Sequence, residues 1–241
     1  MELLLPLAAF ATAVLSATLG MAGGIVLMGV YTALLPVPEA MVLHGLTQLL
    51  ANGGRAVLLR DHVQWRGIGA YLVGAIVAWL VLRQIAFVPD PATVYLGLGA
   101  LPFVTRVLPP SPFLDFGHRR AAVLCGAVVA GTQMVFGVAG PLLDLFFVRT
   151  GLTRQEVVAT KATTQTASHL LKIAWFLPLL TGHRLPWTLV GAVMAAALLG
   201  TWAGGRMLER MSEEGFRRAT RSVLLIVGAV YLWRGAALQW G

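Results

Sequence analysis

Charge is what this 241-residue chain has least of. Asp, Glu, Lys and Arg make up only 12% of it, against roughly 25% in soluble domains, which excludes an ordinary soluble globular fold. Cysteine is almost missing too. Cys125 stands alone in an apolar run, so neither an intrachain disulfide nor a multi-cysteine metal site can form. Catalytic patterns are absent as well: Ser16 and Ser168 have no nucleophile-elbow surroundings, no two histidines stand four apart, and no phosphate-cradling loop occurs. No cofactor, no metal and no enzymatic activity are therefore expected. No basic residue precedes the first apolar run, where Glu2 is the one charge. Residues 3–19 thus read as a membrane segment rather than a signal peptide, although Ala11-Thr12-Ala13 has the small side chains of a cleavage site.

What the chain has is hydrophobicity, 58% of its residues. Apolar segments run over about 3–19, 23–35, 38–59, 66–88, 92–108, 120–136, 139–150, 154–177, 187–207 and 219–238. The second and seventh are too short to cross a bilayer, and each follows a glycine break, Gly20-Met21-Ala22-Gly23-Gly24 and Gly137-Val138-Ala139-Gly140-Pro141. Either the first two segments form one kinked span, or they fold back as a hairpin. Basic residues decide. With ten alternating segments one side collects Arg60, Arg66, Arg106, Arg119, Arg120, Arg149, Arg154, Arg206, Arg210, Arg217, Arg218 and Arg221, and the other only Arg83, Arg184 and Arg234. The basic side is cytoplasmic by the positive-inside rule, so both termini lie outside. The excess of Lys and Arg, a formal +8, is thus spent on orientation, and no nucleic-acid partner is expected.

Five segments per half is an odd number, so the second half is inverted relative to the first. The expected fold is an all-α membrane protein: an N-terminal repeat over 1–108, a cytoplasmic connector over 109–119 within the proline-rich Pro102–Arg120 stretch, and a C-terminal repeat over 120–241. The halves share a polar pattern. His44, Thr47, Gln48, Asn52 and Arg55 recur as Lys161, Thr164, Gln165, His169 and Lys172, each 117 positions on. These spacings fall on one helix face, and a polar stripe inside a membrane belongs against other helices or a watery path. Thr47, Gln48, Asn52, Thr164, Gln165 and His169 are the expected ligands of a small anion, held by uncharged donors near mid-membrane. His44, Arg55, Lys161 and Lys172 would line its approaches, with Lys161 on the cytoplasmic side and Lys172 on the outer one. Gly23, Gly24 and Gly140 would bring half-helix N-termini to the same anion, with Pro141 in a first helical turn. Interhelical packing by small and polar residues is the alternative for all of these.

The acidic residues divide. Thr153-Arg154-Gln155-Glu156 is a capping box, and Glu39 after Pro38 occupies the equivalent helix start. Asp144 lies in a short apolar half-helix and needs a partner or a proton; it either pairs with a stripe lysine or carries a coupling proton. The run from Arg206 to Arg221 reads as a solvated turn.

Two stretches carry a family resemblance. "GMAGG" followed by "LLPVPEAMVLHGLTQLLANGGRAVLL", and "GVAGPLLDLFFVRTGLTRQEVVATKATTQTASHLLKIAWFLPLLTG" running into "PWTLVGAVMAAALLGTWAGGRMLER", resemble the TauE/SafE family of sulfite and organosulfonate exporters. The first half-helix, "GGIVLMGVYTAL", departs from it in lacking the fuller glycine run and the proline that many members have. The resemblance implies a multi-pass carrier in the inner membrane, with sulfite, sulfoacetate or a related sulfur anion as cargo and the lipid bilayer as its surroundings. Rival readings are an intramembrane enzyme and a non-transporting membrane subunit; homo-oligomer formation stays open.

Overall fold

The computed structural model describes residues 3–19, 22–109, 111–180, 185–208 and 213–240, and these contain ten α-helices and no strand. The helices are α1 (Leu4–Leu19), α2 (Ala22–Leu34), α3 (Val37–Leu58), α4 (Trp65–Gln84), α5 (Pro91–Val107), α6 (Arg119–Phe136), α7 (Gly140–Leu145), α8 (Arg154–Phe176), α9 (Trp187–Leu208) and α10 (Glu213–Trp240). One helix answers each apolar segment. Gly20, Met21, Pro110, Arg184, Glu209 and Arg210 fall outside the described residues.

Local chemistry sets the boundaries. Asp90 caps α5 by accepting from Thr93 N at 2.7 Å, with Pro91 in the first turn where it needs no donor. Thr153 and Glu156 form the capping box of α8. Glu39 departs from this pattern. The residue before α3 is Pro36, which has no side-chain acceptor, so no box forms and Glu39 Oε2 is buried with no partner among the described residues. Two other boundaries differ from the sequence reading. The seventh segment is helical only over Gly140–Leu145 and then turns. Much of the Arg206–Arg221 run belongs to the ends of α9 and α10 rather than to a turn.

Four partnerships dominate the packing: α1 with α9, α4 with α6, α5 with α10, and α3 with α8. If α1–α5 are matched with α6–α10 in order, exchanging the halves turns the first pair into the second and leaves the other two unchanged. Small residues allow these helices to close up. A Cβ on Gly74 of α4 would overlap the Val123 carbonyl oxygen of α6, and one on Gly126 would overlap that of Tyr71.

The outer helices meet lipid. Trp65–Gln84, Trp187–Met207 and Arg218–Trp240 are long and apolar enough to cross a membrane, with mostly unburied side chains. Val73, Ile76, Val77, Leu80 and Val81 face outward from α4. Trp65, Trp187 and Trp240, all exposed at helix ends, suit the membrane–water boundary. Helices α3 and α8 are as long but carry the polar stripe. They lie inside, where α3 also contacts α2 and α9, and α8 also contacts α4 and α6. The chain is an all-α integral membrane protein.

Candidate functional site

A polar cavity of about 200 Å³ sits between α3 and α8 and is closed by parts of α1, α2, α6 and α7. Its volume is far above the roughly 10–15 Å³ that admits one water, so a small solute fits with some of its hydration. The first stripe contributes His44, Gln48, Asn52 and Arg55, and the second contributes Lys161, Gln165 and His169. Gly24 and Gly140 also line the cavity, at the starts of the two broken helices. Thus nine of the expected residues meet in one space.

The others do not line it. Thr47 and Thr164 are buried and return their hydroxyls to their own helix, Thr47 to Leu43 O at 2.8 Å and Thr164 to Lys161 O at 2.9 Å. Spacing on a helix places such residues on the right face, but a threonine can satisfy itself one turn back. Gly23 serves packing: a Cβ there would overlap Thr12 O and stand 2.6 Å from Ser16 Cβ. Lys172, expected on the outer approach, is wholly buried beneath the cavity. Its Nζ donates to Gly137 O at 2.8 Å and is 2.9 Å from His44 Nδ1. Asp144 forms an ion pair with Lys161, a lysine of the second stripe.

Local structure holds these groups in place. Gly137 ends α6 at φ +82, a left-handed position that favours glycine, and this turns its carbonyl toward Lys172. Asn52 Nδ2 donates to Gln48 O at 3.1 Å and to Gln48 Oε1 at 3.4 Å. With Oε1 so engaged, Nε2 is the end of Gln48 nearer Gly24, 3.5 Å from where a Cβ would stand there. The His44 and His169 rings lie with centroids 5.7 Å apart.

Exposure grades along the cavity. Arg55 is exposed, the Lys161 side chain is 24% exposed, Asn52 6%, His169 3% and Lys172 0%. The mouth therefore lies where α3 ends and α8 begins, and the floor lies at His44 and His169. Two polar lining residues escaped the sequence reading, Ser16 of α1 and Gln133 of α6. They too stand 117 positions apart, so the repeat offset could have found them; what hid them is that they differ in chemistry. Gln133 is 2% exposed and its Nε2 has no hydrogen-bond partner among the described residues. A buried amide donor left open costs about 1–3 kcal/mol, which a ligand or water in the cavity would recover.

The shorter broken helix weakens one expectation. Helix α7 has only six residues, so few aligned peptide dipoles stand behind its N-terminus. Among the described residues no group of three or more His, Cys, Asp or Glu side chains is placed to hold a metal ion.

Neither a curated protein nor a solved structure matches the chain. A family model does. The model described as sulfite exporter TauE/SafE matches residues 5–231, a stretch that holds nearly all of α1, every helix from α2 to α9, most of α10 and the whole cavity, and the chain belongs to that family of membrane transporters.

Proposed function

We propose that the chain is a secondary transporter of small anions, with sulfite, another sulfur-containing anion or an organosulfonate as cargo, in the cell inner membrane. The cavity carries this reading. Amide and cationic donors from both halves, Gln48, Asn52, Arg55, Gln133, Lys161 and Gln165, surround one space. The carboxylate nearest to hand, Asp144, is engaged by Lys161. Such a lining suits an anion: uncharged donors ligate its oxygens, while Arg55 at the mouth attracts it.

Residues 1–108 and 120–241 act as two inverted repeats joined by 109–119, and substrate reaches the cavity from alternate sides as they rock. The helix partnerships that survive exchange of the halves support this. Both termini lie outside, so 60–66, 106–120, 149–154 and 206–221 are cytoplasmic, and the cavity mouth at Arg55 opens inward. Single cysteines placed in these loops, after replacement of Cys125, should resist labelling in intact cells. Labelling of 206–221 from outside would overturn the layout.

Flux of radiolabelled sulfite or methanesulfonate in proteoliposomes is the direct test. Purified protein should catalyse it, and Gln48→Leu together with Gln165→Leu should abolish it without loss of folded protein. Absence of flux for all sulfur anions tried would refute the transport reading.

A further inference from the structure

The cavity floor holds a cluster that anion binding alone does not require. Lys172 has no exposed surface, and no carboxylate pairs with it among the described residues. Its two bonds have fixed directions. Gly24 O, 3.0 Å from His44 Nε2, can only accept, so Nε2 carries the ring proton and Nδ1 accepts from Lys172 Nζ. The other acceptor is Gly137 O. A neutral amine has two hydrogens, and these two acceptors use both. A third proton would add a unit charge and break neither bond. Within a membrane that charge is costly unless an anion stands near it.

His169 connects the amine to the cavity. It precedes Lys172 by three positions, hence on the same helix face, and it lines the cavity with a buried Nδ1 that has no hydrogen-bond partner among the described residues. The remaining charged or titratable groups around the cluster are accounted for. Arg55 of α3 is exposed at the mouth, and Lys161 of α8 is paired with Asp144 of α7. Glu39 lies five positions before His44, turned well around α3 from it. Helix α4 presents Tyr71, bonded to Ser168, and α2 presents Tyr31. Helix α6 presents the neutral Gln133 and, beside Tyr71, the buried thiol of Cys125.

We propose that Lys172, held by His44 and reached through His169, is a proton site linked to the anion cavity, so that one proton travels with each monovalent anion. The proton comes from solution onto the amine nitrogen and returns to solution when the anion leaves; no bond to the anion forms. The linkage is reciprocal, because each ligand supplies the counter-charge for the other. Net flux then follows the anion and proton gradients together and, for a monovalent anion, is insensitive to membrane voltage. This rests on the anion-transport reading above.

The test titrates methanesulfonate, whose charge is constant across neutral pH, into the purified full chain in weakly buffered detergent with a pH dye. About one proton should be taken up per anion bound, and affinity should fall about tenfold per pH unit on the alkaline side. Lys172→Arg fixes the charge, so it should bind with an affinity independent of pH and take up no proton. Binding by the wild type without proton uptake would overturn the inference and leave the transport reading intact. So would proton uptake persisting in Lys172→Arg. If that variant fails to fold, Asp144→Asn decides: uptake that survives it keeps the proton at the cavity floor, and uptake lost with it moves the proton to the mouth and overturns the assignment. If methanesulfonate, sulfite and thiosulfate all fail to bind, the transport reading falls and the inference with it.

Discussion

The stripes of α3 and α8 have the same spacing and opposite fates at their ends. Arg55 closes the first stripe and is exposed at the cavity mouth, while its counterpart Lys172 is completely buried at the floor. His44, which opens the first stripe, accepts from that lysine, and its counterpart Lys161 is paired with Asp144 near the mouth. Positions related by one constant offset thus occupy one open and one sealed environment. The proposed alternating access would need such a contrast, with the same positions wet in one half and dry in the other. The sealed end should be the more fragile of the two, because buried donors and acceptors have no water to fall back on.

The largest effect is therefore expected at the sealed end. Gly137→Ala places a Cβ 2.5 Å from Met28 Sδ and strains a left-handed residue. It should destabilise the protein by about 2–4 kcal/mol in a thermal melt, from backbone strain and overpacking together. The exposed end should tolerate change: Arg55→Gln should leave the melt unaltered and mainly slow anion binding, most visibly at low salt. Equal losses of stability at both positions would erase the contrast.

Next come the central glutamines, where the comparison predicts equality. Gln48→Leu and Gln165→Leu each remove a donor from a charged ligand. Each should weaken anion binding by about 1.5–3 kcal/mol, roughly ten- to a hundredfold, with folding retained. Wild-type affinity in both variants would reduce the stripe to packing.

Smaller still is the difference between the helix starts. Glu156→Ala opens the capping box of α8 and should lower the melting temperature slightly. Glu39→Gln removes no hydrogen bond at the start of α3, so its melt should match or exceed wild type. The least effect belongs to Thr47→Val and Thr164→Val. Both hydroxyls already bond their own helix, and anion affinity should change by less than about 0.5 kcal/mol. A tenfold loss there would mean that the threonines turn to the ligand when it binds.

Helices were legible from the sequence because hydrophobic runs, glycine breaks and caps are local signals. Thr153 and Glu156 are three residues apart and need nothing else to make their box. The cavity was legible in part, through a recurrence with a constant offset. It failed where the outcome depends on contacts between distant segments. Lys172 looks the same in sequence whether it faces a watery path or donates to Gly137 O and His44, and only the approach of α6 and α3 decides. Gln133 and Ser16 share the repeat offset but not a side-chain type, so no match drew attention to them. Glu39 and Glu156 do match, yet Pro36 replaces the hydroxyl that Thr153 supplies.

All four main helix partnerships join a residue before Leu108 to one after His118, and this sets a timetable for synthesis. Helix α1 leaves the ribosome long before its partner α9, which begins at Trp187. At about 5–20 residues per second the wait is on the order of ten to thirty seconds. Helix α1 is fitted for that interval: Thr12 donates to Ala8 O at 2.6 Å and Thr18 to Val14 O at 2.8 Å. Both threonine hydroxyls are satisfied before any neighbour arrives, which eases the wait of the newborn helix until the second half of the chain is made.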